Sequence, residues 1–190
     1  FGYPGDYTAA AHGLEPATVT SDNVLQDPDQ DFDPTDGYSN LHQFTLSGAA
    51  LFRIAMPPDA TEANADLDIF VYAPGVVPEP DNWYASSTSG GTNELVDILL
   101  PMDGTWSVYV HGWSSPGGDS DYDLYTWAVS ATPGGNMTID SAPASATLGA
   151  TGTIDVSWTG ATAGQWHLGA VSHTGEGELI CLTLVNVDNR

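Results

Sequence analysis

The sequence predicts an all-β protein, an antiparallel β-sandwich or jelly roll followed by a smaller immunoglobulin-like β-module. Apolar residues alternate with period two and only rarely fall at helical spacing. Clusters of Gly, Pro, Asn and Asp cut the chain at short intervals. A hydrophobic fraction of 41%, with 6 Trp, 8 Tyr and 5 Phe in 190 residues, is richer than a disordered acidic chain carries.

These criteria place strands, in order, at 7–12, 41–46, 50–56, 67–72, 83–87, 94–100, 105–111 and 122–129. In 105–111, Trp106, Val108 and Val110 share one face. The run ATPGGNM at 131–137 interrupts the pattern, and four further strands follow at 137–140, 153–158, 165–173 and 179–187. In 153–158, Ile154, Val156 and Trp158 point one way and Thr153, Asp155 and Ser157 the other. The expected organisation is an N-terminal strand in 1–14, a sandwich in 15–132 and a small module in 133–190. Four strands fall short of the roughly seven of a complete immunoglobulin-like sandwich. The short segment at 7–12 is therefore expected to pair with the C-terminal module, within the chain or in a neighbouring copy.

Two basic residues, Arg53 and Arg190, stand against 25 acidic ones, and the net charge is −23. Such a balance excludes nucleic acid as an expected partner, because phosphate binding depends on Lys and Arg. It also argues against anionic membrane surfaces. The apolar runs are far shorter than the roughly 20 residues of a membrane span. A single cysteine, Cys181, excludes an internal disulfide and a multi-cysteine zinc site. Within the run LICLTLV it is expected to be a buried, inert thiol. The start at Phe1 carries no leader pattern and reads as that of a mature or excised product.

The ordered runs ADLDIFVYAPG (65–75), ASSTSGGTNELVDI (85–98), DGTWSVYVHGW (103–113) and SDYDLYTWAV (120–129) together resemble a bacterial pre-peptidase C-terminal domain. The tail from 141 to 173 resembles the short β-module that follows such a domain in subtilisin-like serine peptidases. The resemblance implies an extracellular, secreted accessory region with the catalytic domain absent. In agreement, neither His12-Gly13 nor His111-Gly112 continues into the Thr-His of that enzyme family's histidine motif, and no Gly-Thr-Ser nucleophile segment exists.

Candidate sites follow from charge and topology. The segment DPDQDFDPTDG at 27–37 fails as an EF-hand, because Phe32 and Tyr38 stand where a glycine and a bidentate glutamate are required. It reads as a solvated acidic loop, with a calcium site as the alternative. If the strands between 67 and 129 alternate in direction, one end gathers Glu62, Asn64, Asp66, Asp68, Asp119 and Asp121, an expected calcium site. Calcium-binding members of the resembling family, among them collagen-binding domains of clostridial collagenases, point the same way.

Trp106 and Trp158 are expected in the core. Trp83, Trp113, Trp127 and Trp166 are open, with Tyr109 and Tyr125 as candidates to join Trp127 on an outer face. The histidines lack zinc-ligand spacing and are read as structural. The functional expectation is a non-catalytic module of a secreted peptidase, acting in substrate or matrix docking, adhesion or assembly. Its expected partners are the parent peptidase domain or extracellular matrix. The alternatives are a self-associating fibre subunit, built by strand addition, and a carbohydrate-binding module.

Overall fold

A computed structural model describes all 190 residues and is β throughout, with no helix. The strands are β1 (Gly5–Asp6), β2 (Thr8–Pro16), β3 (Thr18–Leu25), β4 (Ser39–Leu46), β5 (Ala49–Met56), β6 (Asp66–Tyr72), β7 (Ala85–Ser87) and β8 (Glu94–Leu99). They continue with β9 (Gly104–Ser114), β10 (Asp119–Ser130), β11 (Met137–Ser141), β12 (Ser145–Ala146), β13 (Asp155–Trp158), β14 (Trp166–Gly175) and β15 (Glu178–Asp188). The chain forms two compact units, one of Thr18–Thr126 and one joining Phe1–Ala17 to Trp127–Arg190.

The unit of residues 18–126 is a sandwich. One sheet has the order β3-β10-β5-β8 and the other β4-β9-β6-β7. Alternation along each strand sends one face inward. Phe52, Ile54 and Met56 of β5 meet Leu67, Ile69 and Val71 of β6 and Trp106, Val108 and Val110 of β9 in a single core cluster. Trp106 is fully buried, and its indole nitrogen donates to the Met102 carbonyl at 3.0 Å. Truncating a side chain of this size costs about 3–5 kcal/mol. Arg53 lies on the first sheet in a bidentate pair with Asp97, both contacts at 2.7 Å.

The second unit has a three-stranded sheet in the order β15-β14-β2 and two ribbons, β11-β13 and β1-β12. Strand β2 lies antiparallel to β14, with Thr8 opposite Thr174 and Pro16 opposite His167. Ala11, Leu14, Met137 and Val171 form its core, with Ile139, Ile154, Val156, Val185 and Val187 packed against them. Trp127 and Trp166 are both buried and meet edge to face at 4.6 Å.

Several local expectations are corrected. Strand β3 was not visible in TVTSDNVL, where only Val24 is buried. Its place comes from β10, which it pairs along its whole length. Trp158 is 41% exposed, although Met137, its partner across the β11-β13 ribbon, is buried in the core. Cys181 is exposed: β15 is an edge strand, and only its distal half, through Val185 and Val187, reaches the core. Tyr109 and Trp127 are buried, so they form no outer aromatic strip with Tyr125.

Candidate functional site

The residues that β6 and β9 turn away from the sandwich core build a second layer. Alternation places Asp66, Asp68, Phe70 and Tyr72 of β6 beside Tyr109, His111 and Trp113 of β9, with Asp68 opposite His111 and Phe70 opposite Tyr109. The segment 26–38 crosses this outer face as a strap. Phe32 at its centre stacks on Phe70, with ring centroids 3.8 Å apart and planes 12° from parallel. Phe32, Phe70, Tyr72 and Tyr109 form a cluster with Trp83 packed against it. Burial in this layer pushes the Tyr72 hydroxyl up to about 12.

Close backbone approach seats the strap. The Asp27 amide donates to the Gly112 carbonyl at 2.7 Å, and the Gln26 amide to the Gly118 carbonyl at 2.8 Å. A Cβ on Gly112 would lie 2.2 Å from the Leu25 carbonyl oxygen, so this crossing requires glycine. Asp27 is thereby carried under the strap. Its carboxylate accepts the amides of Asp29 at 3.1 Å and Asp31 at 3.2 Å, an Asx-type fold, and meets His111 Nε2 at 3.0 Å.

His111 is sealed between two carboxylates. Its Nδ1 faces Asp68 Oδ2 at 3.6 Å, an ion-pair distance too long for a hydrogen bond. Burial pushes the imidazole's proton affinity down, but Asp68 and Asp27 outweigh it and hold the ring above its ordinary value. Burial likewise pushes Asp27 up, and the hydrogen bonds from His111 and the Asp29 amide bring it below the usual carboxylate range. Asp68 is raised by burial, which the more distant His111 offsets only in part.

Beside the strap an open cleft of about 470 Å³ is lined by Asp66, Asp68, Phe70, Trp83 and Trp113, with Ser89 and Gly90 at its lip. Glu94 holds that lip from beneath: its Oε1 accepts the Ser89 amide at 3.0 Å and the Ser89 hydroxyl at 2.5 Å. Burial pushes the Glu94 carboxyl up. The Gly91 amide donates to Asp66 Oδ1 at 3.0 Å.

The six residues expected to gather at one end lie in separate settings. Asp66 and Asp68 border the aromatic cleft, while Glu62 and Asp121 border a second cleft of about 650 Å³ with Asp22, Asp59 and Asp123. Asp119 and Asp121 are bridged by the Asn23 side-chain amide, at 3.0 and 2.8 Å. Asn64 takes a left-handed turn conformation with φ of 68°. Asp27 and His111 were not among the expected site residues. The visible signal for the first is the Asp27-x-Asp29-x-Asp31 spacing, which suits a carboxylate accepting amides two and four residues on.

One serine–histidine contact exists in the unit of residues 1–17 and 127–190. His12 Nε2 lies 2.9 Å from Ser172 Oγ, and both residues are buried. The ring's other nitrogen faces the Ser130 carbonyl at 3.0 Å, where a catalytic triad would place a carboxylate. The arrangement braces β2 against β14.

A search of curated protein sequences gave no match. Among solved structures, the pre-peptidase C-terminal domain of a collagenase from Bacillus anthracis aligns over 58% of this chain and 89% of its own, at 14% identity and a TM-score of 0.43. PliG from Aeromonas hydrophila, a periplasmic inhibitor of g-type lysozyme, aligns over 66% of this chain and 87% of its own, at 9% identity and a TM-score of 0.37. The stretch that runs from the start of β4 to His111 and Gly112, with the cleft's Asp66, Asp68, Phe70 and Trp83, is the part that a family describes: residues 38–112 match the bacterial pre-peptidase C-terminal domain.

Proposed function

We propose that the chain is a non-catalytic accessory module of a secreted peptidase, and that it docks the enzyme onto extracellular protein. One observation carries the reading. The pre-peptidase C-terminal match over 38–112 coincides with the strands whose outer face bears the open aromatic and acidic cleft. Strands set such a site rigidly, and a cleft walled by aromatics with a few polar groups is the usual form of a recognition site.

The test is cosedimentation of the purified chain with insoluble proteins and, in parallel, with insoluble cellulose and chitin. Retention on protein and none on polysaccharide is expected. Retention on polysaccharide alone favours a carbohydrate-binding module, and retention on neither removes the docking reading.

A further inference from the structure

At the aromatic cleft of the 18–126 unit carboxylates outnumber the basic groups that meet them: Asp66 and Asp68 line it, Asp27 lies behind, and His111 is the one basic side chain beside them. Asp68 is only 5% exposed and lines the cleft; its ion-pair partner, His111 Nδ1, stands 3.6 Å away, beyond hydrogen-bond distance, and has no closer partner. Asp68 must also share that one imidazole with Asp27, which lies 3.0 Å from the opposite nitrogen. Asp66, half-buried on the same wall, receives one backbone amide, from Gly91. Carboxylates held this far from water are costly unless a donor or a cation meets them.

Neither arginine of the protein is placed to do so. The chain has no lysine, Arg53 is engaged by Asp97, and Arg190 is bound to Asp188. The remaining lining is Phe70, Trp83 and Trp113 with the small neutral residues Ser86, Thr88, Ser89 and Gly90. Trp113 is 39% exposed, Trp83 is half-buried, and Phe70 forms the base with its other face covered by Phe32. Aromatic faces attract cations through the ring quadrupole, most strongly at tryptophan. Carboxylates on one side and indoles on the other therefore select a group that is both cationic and carried on an apolar stem.

We propose that this cleft captures a protonated arginine or lysine side chain projecting from an extended segment of an extracellular polypeptide. The inference rests on the docking reading above and names its ligand. A basic side chain satisfies Asp68, pairs with Asp66 and lays its stem against Trp83 and Trp113. The net charge of −23 attracts basic segments from a distance, which adds to the rate of encounter. A sugar would also stack on the indoles and donate hydroxyls to the carboxylates, but it would bring no positive charge to offset theirs.

The experiment titrates the whole chain with a capped pentapeptide, Gly-Gly-Arg-Gly-Gly amide, and with the same peptide carrying citrulline, which keeps the shape and removes the charge. Variants Asp66→Asn and Trp113→Ala are titrated in parallel, after their unfolding midpoints are shown to match the parent. Binding of the arginine peptide that weakens with salt, falls about tenfold with citrulline and falls about tenfold in each variant is expected. Equal binding of the two peptides, or variants that bind as the parent does, overturns the inference. So does displacement of the arginine peptide by chitooligosaccharide that itself binds more tightly. If the chain sediments with insoluble protein while the peptide titration fails, docking stands and this cleft is not its site. If sedimentation fails while the peptide binds as expected, the cleft stands and the docking reading falls.

Discussion

His111 Nε2 and Asp27 Oδ2 lie 3.0 Å apart, sealed from solvent, and join residues 84 positions distant in the chain. The pair fastens the strap to the outer face of β9, where Asp68 flanks the ring on its other side. It therefore controls both the strap and the floor of the cleft.

Asp27→Asn removes the carboxylate at His111 Nε2 and weakens the acceptor for the Asp29 and Asp31 amides. Removing one member of a buried pair costs roughly 3–5 kcal/mol. Urea unfolding of the 18–126 unit is expected to show a loss of this order. A change of under about 1 kcal/mol would mean that the pair contributes little.

The pH dependence follows from the direction of each shift. His111 is held above its ordinary value, so its stabilisation is complete below the unfolded imidazole value of about 6.5 and is lost as pH rises through the folded one. His42, lowered by burial, acts in the other direction, but only below about 6.5. On the acid side Asp27, held low, loses stabilisation as pH falls through the carboxylate range, while Asp68 and Glu94, held high, gain it. The alkaline limb is thus the clean one. Urea midpoints should decline above about pH 6.5 in the parent and stay level in His111→Asn, a comparison that a flat parental profile would contradict.

Salt is expected to stabilise the same unit. Asp22, Asp59, Glu62, Asp121 and Asp123 border one cleft, in a chain with two basic residues. The screening length falls from about 10 Å at 0.1 M to about 3 Å at 1 M, so repulsion across that cleft fades with sodium chloride. The thermal midpoint should rise over this range. Asn23→Asp, which replaces the amide bridging Asp119 and Asp121 by a third carboxylate, should lower the midpoint at low salt and less so at high salt.

Removing residues 1–16 deletes β2 and bares the β14 edge along the register from Thr8–Thr174 to Pro16–His167. It also removes His12, which bonds both Ser172 and the Ser130 carbonyl. Limited proteolysis of the truncated chain should digest the residues after 127 and leave a resistant core near 18–126. Equal resistance of both regions would show that β14 and β15 hold without β2.

Elements with a strong internal period were legible from sequence. In 105–111 the alternation names the strand and its core face, because one side of a pleated strand must leave water. Trp106 sits where that reasoning put it, fully buried. The all-β class and the separation of acidic clusters from the apolar core follow from the same rule.

Partnership across long sequence separations is a different matter. The polar run of β3 becomes a strand only because β10 supplies its hydrogen bonds. Trp158 and Cys181 alternate like core residues, yet the core takes Met137 rather than Trp158 from the end of its ribbon and does not reach the outer half of the edge strand β15. Asp27 belongs by composition to a solvated acidic loop, and it is buried because Gly112 admits the backbone beside it and His111 offers a proton. A local pattern records which side of a strand avoids water. Which distant segment arrives to cover the other side, and so whether a carboxylate ends in solvent or under an aromatic strap, is decided by tertiary packing alone.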